Sequence, residues 1–270
     1  MHELEVKEPL EFFYRICQTL SGTGEDEYLK WSGTWELVNS RWNSYWHRVT
    51  YTHWAMREAD WTRIIALIRR RPLETFVGQI WSRYIDESRL ALVKEEIERR
   101  SKNRTSYVIS YQFKNTSIVR KGCCLSSMHI VRRDGRRELE VHFDTSVQEV
   151  MGLMPGDLWL FHRVMTYLGL LPRNKQLVLG NVYHTNAKWF WYRDYTFALI
   201  PLMGWKNLSP AMKAEVKRCW AKGETHGLKR VRRYYRMTLD MRRELDEAGE
   251  DSIFSADSFC DRKKEHVPKA

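Results

Sequence analysis

The chain has 270 residues, enough to bury a full hydrophobic core, and its 43% hydrophobic and 29% charged content is ordinary for a soluble globular protein. Forty-five Lys and Arg against 34 Asp and Glu leave a formal charge of +11, a surface field that attracts nucleotides, polyanions or acidic partners. No apolar run approaches the roughly 20 residues of a membrane helix, and the acidic start "MHELEVKEPLEFF" is unlike a signal peptide, so a cytoplasmic protein with no membrane partner is expected.

In chain order, residues 9–20 predict an opening helix, followed by the glycine-containing "SGTGED" at 21–26. The aromatic-rich segment from Trp31 to Trp61 has no regular period, and "DWTRIIALIRR" at 60–70 predicts a short helix stopped by Pro72. From Ser88 to Arg100, Leu90, Val93 and Ile97 recur at helical spacing between charges, the pattern of an amphipathic surface helix. The period then changes to two. "TSYVISYQF" at 105–113 is rich in β-branched and aromatic residues and reads as a strand. "LSSMHIVRR" and "RRELEVHFDTS" flank Asp134-Gly135, a hairpin turn that tolerates positive φ. "LWLFHRVMTYLGLL" at 158–171 predicts a buried helix and "KQLVLGNVYH" at 175–184 another strand; helix resumes after residue 205, with Ser209-Pro210 as cap and first-turn residue. The sum is an α+β single domain over residues 1–270, a mixed or largely antiparallel sheet carrying a buried central helix.

Five cysteines, Cys17, Cys123, Cys124, Cys219 and Cys260, form no CxxC pair and no Cys/His cluster, so they predict neither a metal site nor a disulfide framework. Cys123 and Cys124 stand at the start of the hairpin. On local sequence both read as small buried hydrophobes, although Arg120 and Lys121 would raise the thiolate fraction of an exposed thiol beside them. The polar residues scattered around them each have an ordinary structural role: Arg104 as a solvated cation, Asp157 as a helix N-cap, Trp81 as core.

Their order and spacing resemble the thymidylate synthase superfamily, which includes the pyrimidine nucleotide hydroxymethylases. The resemblance is best over residues 104–186, and the helical stretch 206–270 matches poorly. Family members have a Ser-Arg-Arg segment opening a strand and Pro-Cys-His entering a hairpin that turns at Asp-Gly. Here Asn103-Arg104-Thr105 opens the strand, Cys123 takes the proline position and Cys124 that of the nucleophile. "FDTSVQEVMGLMPGD" corresponds to the family's Gln-Arg-Ser and Leu-Gly-Leu-Pro-Phe-Asn motifs, which sets Ser146 on the serine and Asp157 on the asparagine that bonds the pyrimidine. Asn181-Val182-Tyr183, with His184 beside it, corresponds to His-x-Tyr; Glu58 and Trp61 echo Glu-x-x-Trp, and Gln79 and Trp81 echo Gly-x-Gln-Trp.

The resemblance implies a thymidylate synthase-like fold and a one-carbon transferase. The thiolate of Cys124 would add to C6 of a pyrimidine nucleoside monophosphate, making C5 a nucleophile toward 5,10-methylene-tetrahydrofolate. It implies Glu58 organising water and moving protons, and Asp157 and Tyr183 in the reaction. Substrate would be held by Arg104, Ser146, Asp157, Asn181, Tyr183 and His184, and cofactor by Trp81, Gln79 and Gln148. A homodimer would donate Arg104 across its interface. Aspartate at position 157 is similar to the dCMP hydroxymethylases, because an ionised carboxylate accepts from the cytosine amino group, and that favours a hydroxymethylase acting on (d)CMP or dUMP. Thymidylate synthase proper is the alternative within the family. Four departures stand out: Thr105 for an Arg, Thr145 or Asp144 for another, Gln148 for the Asp that meets the pterin, and Leu125 for a His. A different function class is a nucleic-acid-binding module using "GLKRVRRYYRM" at 227–237, where basic and aromatic residues alternate.

Overall fold

The computed structural model describes residues 3–20, 36–37, 47–69, 72–102, 105–114, 125–171 and 177–191, together with 208, 210, 213 and 214. The chain divides into two compact units, residues 1–13 with 37–190, and residues 14–36 with 191–270. In the second unit the described residues are mainly the end of one helix, where Ile16 and Cys17 are fully buried.

The first unit is built on a mixed sheet. Its strands are β1 (Glu3–Val6), β3 (Arg48–Tyr51), β4 (Tyr107–Gln112), β5 (Leu125–Arg132), β6 (Glu138–Glu149) and β7 (Val178–Trp191), and the two-residue β2 (Glu36–Leu37) also pairs with β7. The spatial order is β1-β3-β7-β6-β5-β4. β1 pairs with β3, and β6 with β7, in parallel; the other neighbours are antiparallel. This is the expected α+β class with a mixed sheet.

Among the described residues there are five helices: α1 (Pro9–Leu20), α2 (Glu58–Arg69), α3 (Leu73–Tyr84), α4 (Glu87–Arg100) and α5 (Met154–Tyr167). α4 forms as its periodicity predicts, burying Leu90, Val93 and Ile97, with Asp86 accepting from the Arg89 backbone N–H as N-cap and Arg99 and Arg100 in the last turn. The β5–β6 hairpin turns at Asp134-Gly135, with Gly135 at φ 73°. β4 alternates buried and exposed residues throughout, as a half-buried strand must.

Several elements differ from the sequence reading. β1 and β3, the latter inside the aromatic-rich segment, carried no recognisable period because they have four residues each. α3 begins directly after Pro72, so the proline that stops one helix starts the next. The buried helix begins at Met154, four residues before the predicted start, because Pro155 is set for a first turn and every residue from Met154 to Phe161 is buried.

α5 links the parallel strands β6 and β7 and lies against one sheet face: the Phe143 ring of β6 stacks on Phe161 of α5 at 3.8 Å and 8°. Its other side meets α3. A Cβ on Gly156 would lie 2.2 Å from Phe76 Cε1, so only glycine permits this approach. On the same sheet, Phe12 of α1 packs edge-on to Tyr51 and Trp189.

Candidate active site

Among the described residues, the link between β6 and α5 gathers three buried polar side chains, Gln148, Glu149 and Asp157. Glu149 ends β6 fully buried, and its carboxylate accepts the backbone N–H groups of Met151 at 3.0 Å and Gly152 at 2.6 Å. That pairing satisfies two N–H groups of the turn that leads into α5. The N-cap is Leu153, not Asp157, and it makes no side-chain cap; the Asp157 N–H already bonds the Leu153 carbonyl within the helix. The N-cap role for Asp157 is therefore corrected. It is a first-turn residue, 3% exposed, and its Oδ2 accepts from Gln148 Nε2 at 3.0 Å. An amide facing a carboxylate must present its N–H, which leaves Gln148 Oε1 on the far side, buried and without a partner.

A second polar group lies beside it across β6 and β7, whose register pairs Thr145 with Asn186 and Phe143 with His184. Thr145 Oγ1 is 2.8 Å from Asn186 Oδ1, 3.1 Å from the Thr185 carbonyl and 3.2 Å from His184 Nε2. Both acceptor oxygens need the hydroxyl proton, so His184 Nε2–H donates to the Thr145 oxygen and its Nδ1 is a bare acceptor. Burial in an apolar surround pushes the His184 imidazole down to about 3, which keeps it neutral. His184 Nδ1 and Asn186 Nδ2 are both buried without a partner. Native interiors leave few such atoms, each costing about 1–3 kcal/mol unless a further group meets it.

Of the residues assigned from sequence, the structure brings Gln148 and Asp157 into contact, with His184 on the same α5-facing side of the sheet. It does not bring Tyr183 there. Neighbouring strand residues point to opposite faces, and Tyr183 stacks on His142 at 4.4 Å beneath the Arg48 guanidinium at 4.0 Å, with Asn181 Nδ2 donating to its hydroxyl at 3.4 Å. Ser146 is exposed. Glu58 is an exposed first residue of α2, while Trp61, the other half of that motif, is fully buried. Gln79 is exposed on α3, and Trp81 donates to Glu87 at 2.8 Å and meets Tyr167 edge-on at 6.1 Å. Tyr167 lies ten residues beyond Asp157, about 15 Å along the helix axis. A cleft of about 500 Å³, lined by Trp54, Met56, His162 and Thr166 among others, is likewise on the later turns of α5.

Arg104, Cys123, Cys124 and the basic-aromatic run 227–237 lie outside the described residues. The position next to Cys124 does not. Leu125 opens β5 directly opposite Thr145, which in turn is opposite Asn186. Asn186 is absent from the residues assigned by sequence, and Thr145 enters there only as a departure from an Arg; a buried Thr or Asn in a strand looks like any other until a partner strand is placed beside it.

No family model matches the chain, and no curated protein matches it. Among the described residues no group of three metal-ligating side chains occurs, and no helix is long and apolar enough to cross a membrane.

Proposed function

We propose that the protein is a transferase acting at C5 of a pyrimidine nucleotide, with the Cys124 thiolate adding to C6 and a cytosine nucleotide as the preferred substrate. One observation carries the reading: the strand register sets Leu125, the residue after Cys124, opposite Thr145 of the buried Thr145–His184–Asn186 group, and the Gln148–Asp157 pair follows further along the same strand. A thiolate adduct needs polar groups to take up charge developing on the ring, and the buried polar groups at this end of β6 are of that kind. Asp157 supplies a carboxylate oriented by Gln148, and a carboxylate presents acceptors, the match to an amino-bearing pyrimidine edge. The Asp-Gly hairpin that accompanies the nucleophile in the thymidylate synthase superfamily is formed here, which supports a fold of that kind. His184 and Asn186, rather than Asn181 and Tyr183, share the face of Asp157 and are the stronger candidates for the substrate hydroxyl.

The fit to 5,10-methylene-tetrahydrofolate is poor among the described residues. Gln148 is fully buried against Asp157, and Trp81 and Gln79 sit elsewhere on α3, so the three assigned groups form no common surface. C5 activation by the thiolate requires no donor, and the decisive experiment uses that. Tritium release from C5-labelled dCMP and dUMP should occur with the wild-type chain, faster for dCMP. It should vanish in Cys124→Ala and persist in Cys123→Ala, and Asp157→Asn should shift the preference toward dUMP. No exchange with either nucleotide, or exchange surviving Cys124→Ala, would overturn the assignment.

A further inference from the structure

The sheet face away from α5 carries a hydrogen-bonded constellation that the C5 chemistry does not use. Ser110 on β4 stands directly opposite His129 on β5, and Ser127 on β5 opposite Asp144 on β6. Ser110 Oγ is 2.9 Å from His129 Nδ1, and His129 Nε2 is 3.2 Å from Asp144 Oδ2. A carboxylate only accepts, so the ring proton sits on Nε2, and Nδ1 offers its lone pair to the Ser110 hydroxyl. Ser127 is also within reach, 3.1 Å from His129 Nε2, but it donates its proton to Asp144 at 2.8 Å. Of the two serines, Ser110 alone has its proton aimed at the imidazole.

We propose that Ser110 is an activated nucleophile, with His129 as general base and Asp144 orienting it, open to acylation by esters whose leaving group departs as a stable anion. A hydroxyl, a base and a group orienting the base, each within hydrogen-bond reach of the next, are what serine acyl transfer requires. Ser110 is exposed, and the His129 and Asp144 side chains are 33% and 36% exposed, so an electrophile reaches the hydroxyl from solvent. All three groups stand on paired strands, which holds their separation. Ser110 Oγ bonds to the acyl carbon, its proton passes to His129 Nδ1, and the carbon–oxygen bond to the leaving group breaks with the electron pair on the aryloxide. The imidazolium gives that proton up to solvent. Water then attacks the acyl-serine with one of its protons passing to His129 Nδ1, and His129 hands that proton to the Ser110 oxygen as its bond to carbon breaks and the carboxylic acid is released. The backbone N–H groups that pair β4 with β5 and β5 with β6 are engaged in the ladder and lie in its plane, so among the described residues they supply no oxyanion hole for the carbonyl. That limits the substrate to aryl and similarly activated esters, and excludes amides.

The full-length chain should be treated with a biotinylated fluorophosphonate and, separately, with p-nitrophenyl acetate. The expected result is one label per chain, found on Ser110 by peptide mass spectrometry, and nitrophenolate release at the same site. Ser110→Ala should remove both, His129→Gln should slow labelling about 100-fold, and Asp144→Asn about tenfold or more. Ser127→Ala, which leaves the relay intact, should label at the wild-type rate. Labelling elsewhere, no labelling, or an unchanged rate in His129→Gln would show these residues to be ordinary cross-strand polar pairs and overturn the proposal. Ser110→Ala removes only an exposed hydroxyl, so a wild-type far-ultraviolet spectrum is expected for it.

Discussion

Replacing Gly156 with alanine tests how α5 is held at the height that sets Asp157. The added Cβ would lie 2.2 Å from Phe76 Cε1 and 2.9 Å from Ile80 Cδ1, whereas ordinary contact begins at 3.4 Å. The difference, 3.4 minus 2.2, requires a movement of 1.2 Å by the Phe76 ring or by the helix. Phe76 and Ile80 are both 7% exposed, so neither ring nor methyl can swing freely into solvent. Overpacking of this kind costs about 1–3 kcal/mol. Alanine recovers up to about 1 kcal/mol of helix propensity relative to glycine, so an overlap this deep, at the upper end of the overpacking range, leaves a net loss of about 2 kcal/mol. Urea unfolding followed by circular dichroism would read it as a lower midpoint at unchanged slope. Adding Phe76→Leu opens the space, so the double variant should lose about 1 kcal/mol less than the sum of the single ones. A Gly156→Ala chain as stable as wild type, or strictly additive losses, would refute the close approach of α5 to α3.

Three further outcomes follow from the electrostatics. His184 has its folded value pushed down to about 3 by burial, below the ordinary 6.5, so the unfolded chain takes up the extra proton: stability is complete above pH 6.5 and falls as the pH drops from 6.5 toward 3. Its imidazole NMR shifts should therefore stay neutral down to about pH 4 while the protein remains folded. Glu96 accepts from Arg99 and Arg100, and the Arg99 hydrogen bond is the largest cause holding its carboxyl down at about 2. Its contribution is present above 4.5 and is lost as the pH falls through about 2, and Arg99→Gln should move the NMR titration of Glu96 upward. Arg132, 6% exposed, donates to the carbonyls of Arg136, Arg100 and Ser101, tying the β5–β6 turn to the end of α4. Arg132→Met should destabilise by about 1–3 kcal/mol in urea unfolding, since a buried charged donor is lost to three carbonyls.

The elements legible in the sequence are those whose signal is local. α4 shows Leu90, Val93 and Ile97 one turn apart, and the hairpin shows period two on either side of a dipeptide that accepts positive φ. α3 and the short strands are different. Phe76, Val77 and Ile80 have helical spacing, but the segment is only 12 residues long and sits behind a proline that reads first as a stop. β3 is a strand because β1 and β7 lie on either side of it, a property of residues 3–6 and 178–191 and not of its own four.

The site divides in the same way. Sequence by itself determined the class of chain, the hairpin behind Cys124 and the presence of a carboxylate at the head of a buried helix. Only the tertiary structure decided what Asp157 does there, because the β6–α5 turn is capped by Glu149 and by backbone, leaving the Asp157 carboxylate to Gln148. It also decided which half of "NVYHTN" belongs with it. Tyr183 and His184 are adjacent in the chain and on opposite faces of the sheet, and the face that is covered depends on where α5 packs, which no local pattern records. The Ser110–His129–Asp144 relay is more hidden still: its members are 19 and 15 residues apart, and the register of three strands makes them neighbours.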